Sequence, residues 1–304
     1  MSEPPVLSER SRGPVAWVFN LDADDELARG RAHTPTAAMT ARIEGLLPRL
    51  SALMLPGDQV LWPGNGVVEP GLAGRAWCPT RWALEQMERA GVRVPRSPGI
   101  EVLRLVNHRR FSHQLGQTLP GAGYAENAVE LEALLRAAPA ASVEKCRLVK
   151  RALGYAGRGR RKLRHGALLE ADRSWLEASL RSGDGVQVEP WVARELDCAL
   201  HGWVGEDGVV TLGVPTLQVI DSGGAWVSTS VGPALTAAET EELLDQARSS
   251  ARALHGAGYF GPFGIDAFRW RDPAGASWFQ PRCEINARYS MGWAIGMGAF
   301  GAPD

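Results

Sequence analysis

Phe263-Gly264-Ile265-Asp266-Ala267-Phe268-Arg269-Trp270, then Asp272-Pro273-Ala274-Gly275, then a run from Trp278 that closes on Cys283-Glu284-Ile285-Asn286-Ala287-Arg288, is the stretch on which the reading of this chain turns. Two apolar runs flank a turn-forming tetrapeptide, the pattern of a long β-hairpin. Side chains two apart on a strand share a face, so Glu284 and Asn286 point the same way. The antiparallel return brings Asp266 opposite them. Two carboxylates and an amide oxygen on one face are hard donors, suited to Mg²⁺, which takes a few protein oxygens and leaves the rest of its sphere to phosphate and water. The plain structural reading is an exposed polar strand face. Against it, Asp and Asn are poor strand formers, yet both interrupt otherwise apolar strands here. Arg288, on the same side, adds a cation suited to a transferred phosphoryl group or a substrate carboxylate.

Upstream, Leu148-Val149-Lys150 leads into Gly154-Tyr155-Ala156-Gly157-Arg158-Gly159. A lysine at a strand end followed by a glycine-rich turn is a natural phosphate clamp, because glycines let backbone N–H groups approach anionic oxygens. Gly154 and Gly159 have Walker A spacing, but Arg160-Arg161 replace the required Lys-[Ser/Thr]; Gly157-x-Gly159 lacks the third glycine of a dinucleotide fingerprint. Eight Lys/Arg and no Asp/Glu lie between Arg147 and Arg164, which reads equally as a solvated basic loop or as a nucleic-acid patch. Val188-Glu189-Pro190-Trp191-Val192, with Glu195 and Asp197 just behind, is a strand running into a hinge that can present backbone groups to an adenine edge; a strand end before a turn reads the same way.

The first hundred residues alternate strand and helix. Val15 to Phe19 is a short buried strand. Thr34-Pro35 reads as the cap and first residue of a helix striped by Met39, Ile43, Leu46, Leu47, Leu50, Leu53 and Met54. Gln59 to Trp62 is a second strand, closed by Pro63-Gly64-Asn65-Gly66. Thr80 caps a helix carrying Leu84 and Met87 that Gly91 ends, and Val92 to Val94 is a third strand. That order favours a parallel sheet with flanking helices. After a turn-rich joint at 95–99, helices are expected over Asn107 to about Leu119 and Glu126 to Ala137. A strand at Arg147 to Lys150, a helix at Trp175 to Leu180 and a strand at Val186 to Glu189 follow. Strands at Cys198 to Val204 and Val209 to Ile220 precede a helix from Ala237 to Leu254, where Thr236 and Glu239 have capping-box spacing.

The net charge of −1 provides no global field to recruit nucleic acid or membrane. Cys78, Cys146, Cys198 and Cys283 stand far apart, which suits reduced thiols in a cytoplasmic protein better than a zinc site or disulfide scaffold. No secretory signal and no membrane span is visible.

Taken in order, LVK at 148–150 with GYAGRG at 154–159, VEPWV at 188–192, Glu195, GPFGIDAF at 261–268 and CEINAR at 283–288 resemble the ATP-grasp superfamily, carboxylate–amine ligase type. The likeness runs across about residues 105–295. It implies an α/β (α+β) chain: a Rossmann-like parallel-sheet domain over 1–105, an ATP-grasp lid subdomain over 106–190, and a C-terminal subdomain with the metal-binding hairpin over 191–304. By resemblance, Lys150 holds the ATP phosphates beneath the Gly154–Gly157–Gly159 loop. Glu189, Trp191 and Val192 form the adenine hinge, and Glu195 matches the ribose-binding acid. Asp266, Glu284 and Asn286 match the Mg²⁺ ligands, and Arg288 the arginine near the γ-phosphate or acyl phosphate. Arginines stand where the family usually has an upstream lysine, so Arg109 or Arg110 substitutes for it. The implied activity joins a small carboxylate to an amine, such as an amino acid or peptide, in a chain whose family often forms homodimers. Kinase-like phosphoryl transfer, a non-catalytic nucleotide-binding module and an RNA-binding protein are the competing classes. Substrates are expected near Asn20 to Asp25 and Pro63 to Gly66, loops that follow strands.

Overall fold

A computed structural model of the chain describes residues 13–29, 33–61, 67–154, 158–221, 226–232 and 234–298. It begins with β1 (Val15–Val18), whose four side chains are all buried. α1 (Ala23–Arg29) and α2 (Ala37–Leu50) follow, then β2 (Gln59–Val60), β3 (Ala73–Ala76) and α3 (Arg81–Arg89). The strands form a three-stranded parallel sheet in the order β2-β1-β3. The cap of α2 is Thr36, which accepts from Met39 N, rather than Thr34. The third strand is Ala73-Gly74-Arg75-Ala76, while Arg93 makes only a single bridge to Ala73. Gly74 is there because α3 comes close: a Cβ on it would stand 2.5 Å from Met87 Sδ.

Two short helices follow, α4 (Ile100–Asn107) and α5 (Arg109–Gln114). Helix therefore starts directly behind Pro98-Gly99, earlier than the expected Asn107, and breaks at His108, whose ring nitrogen accepts from Arg110 N. β4 (Gly123–Ala125), α6 (Ala128–Arg136), β5 (Cys146–Arg151), β6 (Arg160–Arg164), α7 (Glu170–Leu180) and β7 (Val186–Pro190) make an antiparallel lobe in the order β4-β7-β5-β6. The basic run is thus a β5–β6 hairpin. Arg147 is buried on carbonyls of Gly121 and Ala137, and Arg151 and Arg161 lie over the Trp175 ring.

The third sheet is six-stranded, with β8 (Ala193–Val204), β9 (Val210–Leu212), β10 (Thr216–Ile220), β11 (Trp226–Ser230), β12 (Gly261–Arg271) and β13 (Ser277–Asn286). Its order is β11-β10-β8-β12-β13, with β9 on β8, and every pairing is antiparallel. The expected strand over Val209 to Ile220 is two, interrupted at 213–215. α8 (Ala237–Gly256) opens on the capping box of Thr236 and Glu239, and α9 (Trp293–Met297) closes the described chain.

One large apolar core joins β1 and α1–α3 to β8, β12 and α8, while the four-stranded lobe has its own around Val149, Leu163 and Val186. Among the described residues no helix is long and apolar enough to cross a membrane.

Candidate active site

The register of the last hairpin places Asp266 opposite Glu284, and Asn286 Nδ2 donates to Asp266 Oδ2 at 3.0 Å. Gln218, on the neighbouring β10, donates to the other Asp266 oxygen at 3.3 Å. Burial, then the Glu284 charge, pushes the Asp266 carboxyl up to about 6. Burial acts on Glu284 too, but Arg109, Lys150 and Arg288 more than offset it, and its pKa falls below the ordinary value. Two buried carboxylates facing each other are a liability that a cation relieves. Here the Arg109 guanidinium meets Glu284 Oε1 at 2.8 Å, standing where positive charge is wanted.

The donor set therefore fits a hard divalent cation. No three His, Cys, Asp or Glu side chains stand together as a metal set among the described residues. A metal would rest on Asp266, Glu284 and the Asn286 amide oxygen, as suits an ion that keeps positions for phosphate and water. Ligation requires Asp266 without its proton, whose folded-state pKa is raised to about 6. Mg²⁺-dependent nucleotide binding is accordingly expected to be level above about pH 7 and to weaken, approaching about tenfold per unit, as pH falls through Asp266's range. Calorimetric titrations of Mg-ATP between about pH 5 and 8 check this; a constant affinity rules it out.

These groups open into a cavity of about 280 Å³, bordered on its charged side by Lys150, Gly154, Arg158, Arg160 and Arg288. Lys150 is buried and reaches Glu189 Oε2 at 2.6 Å from the adjacent strand. Gly154 sits where backbone passes close: a Cβ on it would stand 2.8 Å from the Arg158 carbonyl oxygen. Arg109 ties this turn to the hairpin, donating to the carbonyls of Arg151 at 2.8 Å and Gly154 at 3.3 Å. Gly157 lies outside the described residues. Gly159 adopts φ +69°, and its carbonyl accepts from Arg151 N at the base of the loop.

Arg288 is buried and donates to Asp24 Oδ2 at 3.0 Å, which links the hairpin's end to α1. Burial drives the Asp24 carboxyl up despite Arg288. Asn20 spends its amide on Cys78 and Thr80, so of the loop at 20–25 only Leu21 borders the cavity. Pro63 to Gly66 lie outside the described residues.

Several expected positions are not brought to this cavity. Arg110 pairs with Glu126 at 2.6 Å and lies over Tyr124, so of the two arginines only Arg109 faces the carboxylates. Glu189 borders a smaller hollow with Gln187, His113 and Leu119, separated from the main cavity by Cys283, which lines both. Trp191 donates its indole N–H to Glu144, and Val192 is packed against Phe268 and Trp270. Glu195 is exposed and bonds to Arg271 and Ser277. The cause is a bulge: Leu196 pairs with Arg269 but Arg194 with Trp270, so Glu195 has no partner and the face alternation is broken. Asp197, paired with Arg194 at 2.7 Å, lines the cavity, whereas Glu195, the acid singled out by resemblance, does not. Arg194, Gln218 and an apolar stripe on α2 also line the cavity. A helix-period stripe in a sequence marks a core face equally well, so nothing in it announced a site wall.

No family model matches the chain, and no curated protein matches it either. Solved structures do. D-cycloserine synthetase superposes with a TM-score of 0.54 at 15% identity, covering 93% of this chain and 96% of that one. The ADP complex of N5-carboxyaminoimidazole synthetase from Staphylococcus aureus matches with a TM-score of 0.50 at 13% identity, over 93% of this chain and 72% of that one. Biotin carboxylase from Campylobacter jejuni, as a β,γ-ATP complex, gives 0.51 at 12% identity, over 95% and 72%. In two further matches the chain spans only 51% and 54% of the other protein. The chain shares its fold with these two synthetases and the carboxylase. On that fold the facing pair Asp266 and Glu284 lies on the last hairpin and lines the cavity described above.

Proposed function

We propose that this chain is an ATP- and Mg²⁺-dependent ligase that joins a small carboxylate to an amine, releasing ADP and phosphate. The observation that carries the reading is the meeting of Asp266, Glu284 and Asn286 with Arg109, Lys150 and Arg288 in one cavity on this fold. Solved proteins of the same fold include a synthetase with ADP bound and a carboxylase in an ATP complex. In the first half-reaction a carboxylate oxygen attacks the γ-phosphorus, the bond to the β,γ-bridging oxygen breaks, and ADP leaves. In the second an amine attacks the acyl carbon, phosphate departs with one former carboxylate oxygen, and the amine proton goes to solvent. No side chain becomes covalently bound.

Mg²⁺, when bound by Asp266, Glu284 and Asn286, supplies neutralising charge to the phosphates. Lys150 and Arg109 fix the phosphates as point and forked cations, and Arg288, held by Asp24, faces the transferred group. The turn at Gly154 to Gly159 shields the reacting atoms from water. Glu189, paired with Lys150 behind Cys283, is assigned to the adenine end together with the backbone of Trp191 and Val192, whose side chains face elsewhere, and Asp197 rather than Glu195 to the ribose. The division into a Rossmann-like domain over 1–105, a lid over 106–190 and a metal-bearing part over 191–304, cytoplasmic placement and homodimer formation belong to the same proposal.

The test is calorimetric titration of ATP and ADP, with and without Mg²⁺, into wild type and Glu284→Ala. Mg²⁺-dependent binding by wild type that disappears in the variant supports the reading. A wild-type protein that binds no nucleotide ends it.

A further inference from the structure

The cavity has a second chemical character that the nucleotide does not use. Its lining among the described residues carries seven Lys or Arg and three Asp or Glu, so positive charge is in excess. Six of those seven cations stand with the phosphate-binding turn and the hairpin. The seventh, Arg42, stands on α2, an element that contributes no other charged residue to the cavity. Arg42 is exposed and makes no hydrogen bond or ion pair with any described residue. Around it α2 presents Met39, Ile43 and Leu46 to the same cavity, the i, i+3, i+4, i+7 stripe of one helix face with the arginine set into it. Ile220 and Trp226, from β10 and β11, complete an apolar wall. Arg49 braces that wall from α2, its guanidinium 5.7 Å from the Trp226 ring centroid.

Cys283, which also borders the hollow holding Glu189, lines the cavity with Glu284 and Asn286 from β13 and with Arg288 and Met291 beyond that strand. With the nucleotide assigned to Lys150 and the carboxylates, the α2 wall, which carries none of these groups, is left for the other substrate. An apolar wall with a single guanidinium, unpaired among the described residues, selects a molecule with an apolar body and one carboxylate. A carboxylate neutralised by Arg42, away from the cation site, is not the one that takes the phosphoryl group. The molecule must therefore react through its remaining polar group.

We propose that the α2 wall binds an α-amino acid with an apolar side chain, its carboxylate on Arg42 and its side chain among Met39, Ile43 and Trp226, so that its amine is the group joined. The binding preference stands on the cavity itself; the role as amine partner rests on the ligase reading.

Calorimetric titration of L-leucine, L-phenylalanine, L-aspartate and L-leucinamide, without nucleotide, into wild type and Arg42→Ala tests this. Arg42 is exposed and alanine favours helix, so the variant is expected to fold as wild type. Leucine and phenylalanine are expected to bind at least about tenfold more tightly than aspartate and leucinamide. Arg42→Ala is expected to weaken leucine by at least about tenfold and to leave leucinamide unchanged. The proposal is overturned if leucine and leucinamide bind alike, if aspartate matches leucine, if Arg42→Ala leaves leucine unchanged, or if none of the four binds. Mg-ATP titrated into the same samples separates the two readings. Nucleotide binding without amino-acid binding removes this inference and leaves the ligase. Amino-acid binding without nucleotide binding removes the ligase, and with it the amine role.

Discussion

Glu284→Ala is expected to lower ATP-dependent turnover by about 10²–10³-fold, the usual loss when one electrostatic element leaves a water-poor site. Glu284 is one of only two carboxylates in the donor set, and it carries the ion pair with Arg109 at 2.8 Å. Without it, Asp266 loses the neighbouring charge that helps raise its pKa, and the cation keeps one carboxylate and one amide. ADP release measured with saturating Mg-ATP reads the effect, with Glu241→Ala, on the exposed face of α8, as control. Thermal midpoints of the two variants show whether folding contributes. Turnover within about threefold of wild type contradicts a metal role for Glu284.

Arg288→Ala is expected to cost about 3–5 kcal/mol of stability near pH 8, because it leaves the buried Asp24 charge without its partner. The cost carries a pH signature. Asp24 already has a folded-state pKa above its unfolded value, and losing Arg288 raises it further. A raised carboxyl pKa penalises the folded state above the unfolded pKa, and the penalty fades as pH falls toward that value. The deficit is therefore largest at pH 8 and smallest near about pH 4. Asp24→Asn placed in the Arg288→Ala background recovers a large part of it. Urea midpoints of the three proteins decide. A loss below about 1 kcal/mol at pH 8, or one equally large in the double variant, means the pair is not holding α1 to the hairpin.

The hairpin was legible because its signals agreed: two long apolar runs, a Pro-Gly turn, and acids placed where strands rarely carry them. The return of the strand put Asp266 near Glu284 and Asn286, but the exact register did not follow from the turn: counting from it pairs Asp266 with Arg282, and a shift between Asp266 and Phe268 moves it opposite Glu284. Elsewhere local signal and structure part company. Ala73-Gly74-Arg75-Ala76 has no strand propensity and is a strand because β1 supplies the hydrogen bonds and α3 the cover. The basic run reads as loop, yet its arginines are drawn into sheet by pairing and by Trp175. A bulge cannot be read from one sequence, and here it leaves Asp197, not Glu195, lining the cavity. Arg42 sits on a helix whose stripe is indistinguishable from an ordinary core face until the cavity is seen.

The large core has a temporal side. Tyr289 packs edge-on against Trp17 at 5.1 Å, and its N–H bonds the Trp77 carbonyl, so the first strand's surroundings are completed by residues synthesised near the other end. During translation the opening hundred residues emerge without the β8, β12 and α8 surfaces that seal them. The four-stranded lobe, self-contained around Val149 and Val186, has all its partners as soon as β7 is out. The lobe thus draws its core from one continuous stretch, whereas the opening sheet draws its cover from β8, β12 and α8, far along the sequence, a high-contact-order arrangement of the kind that folds slowly.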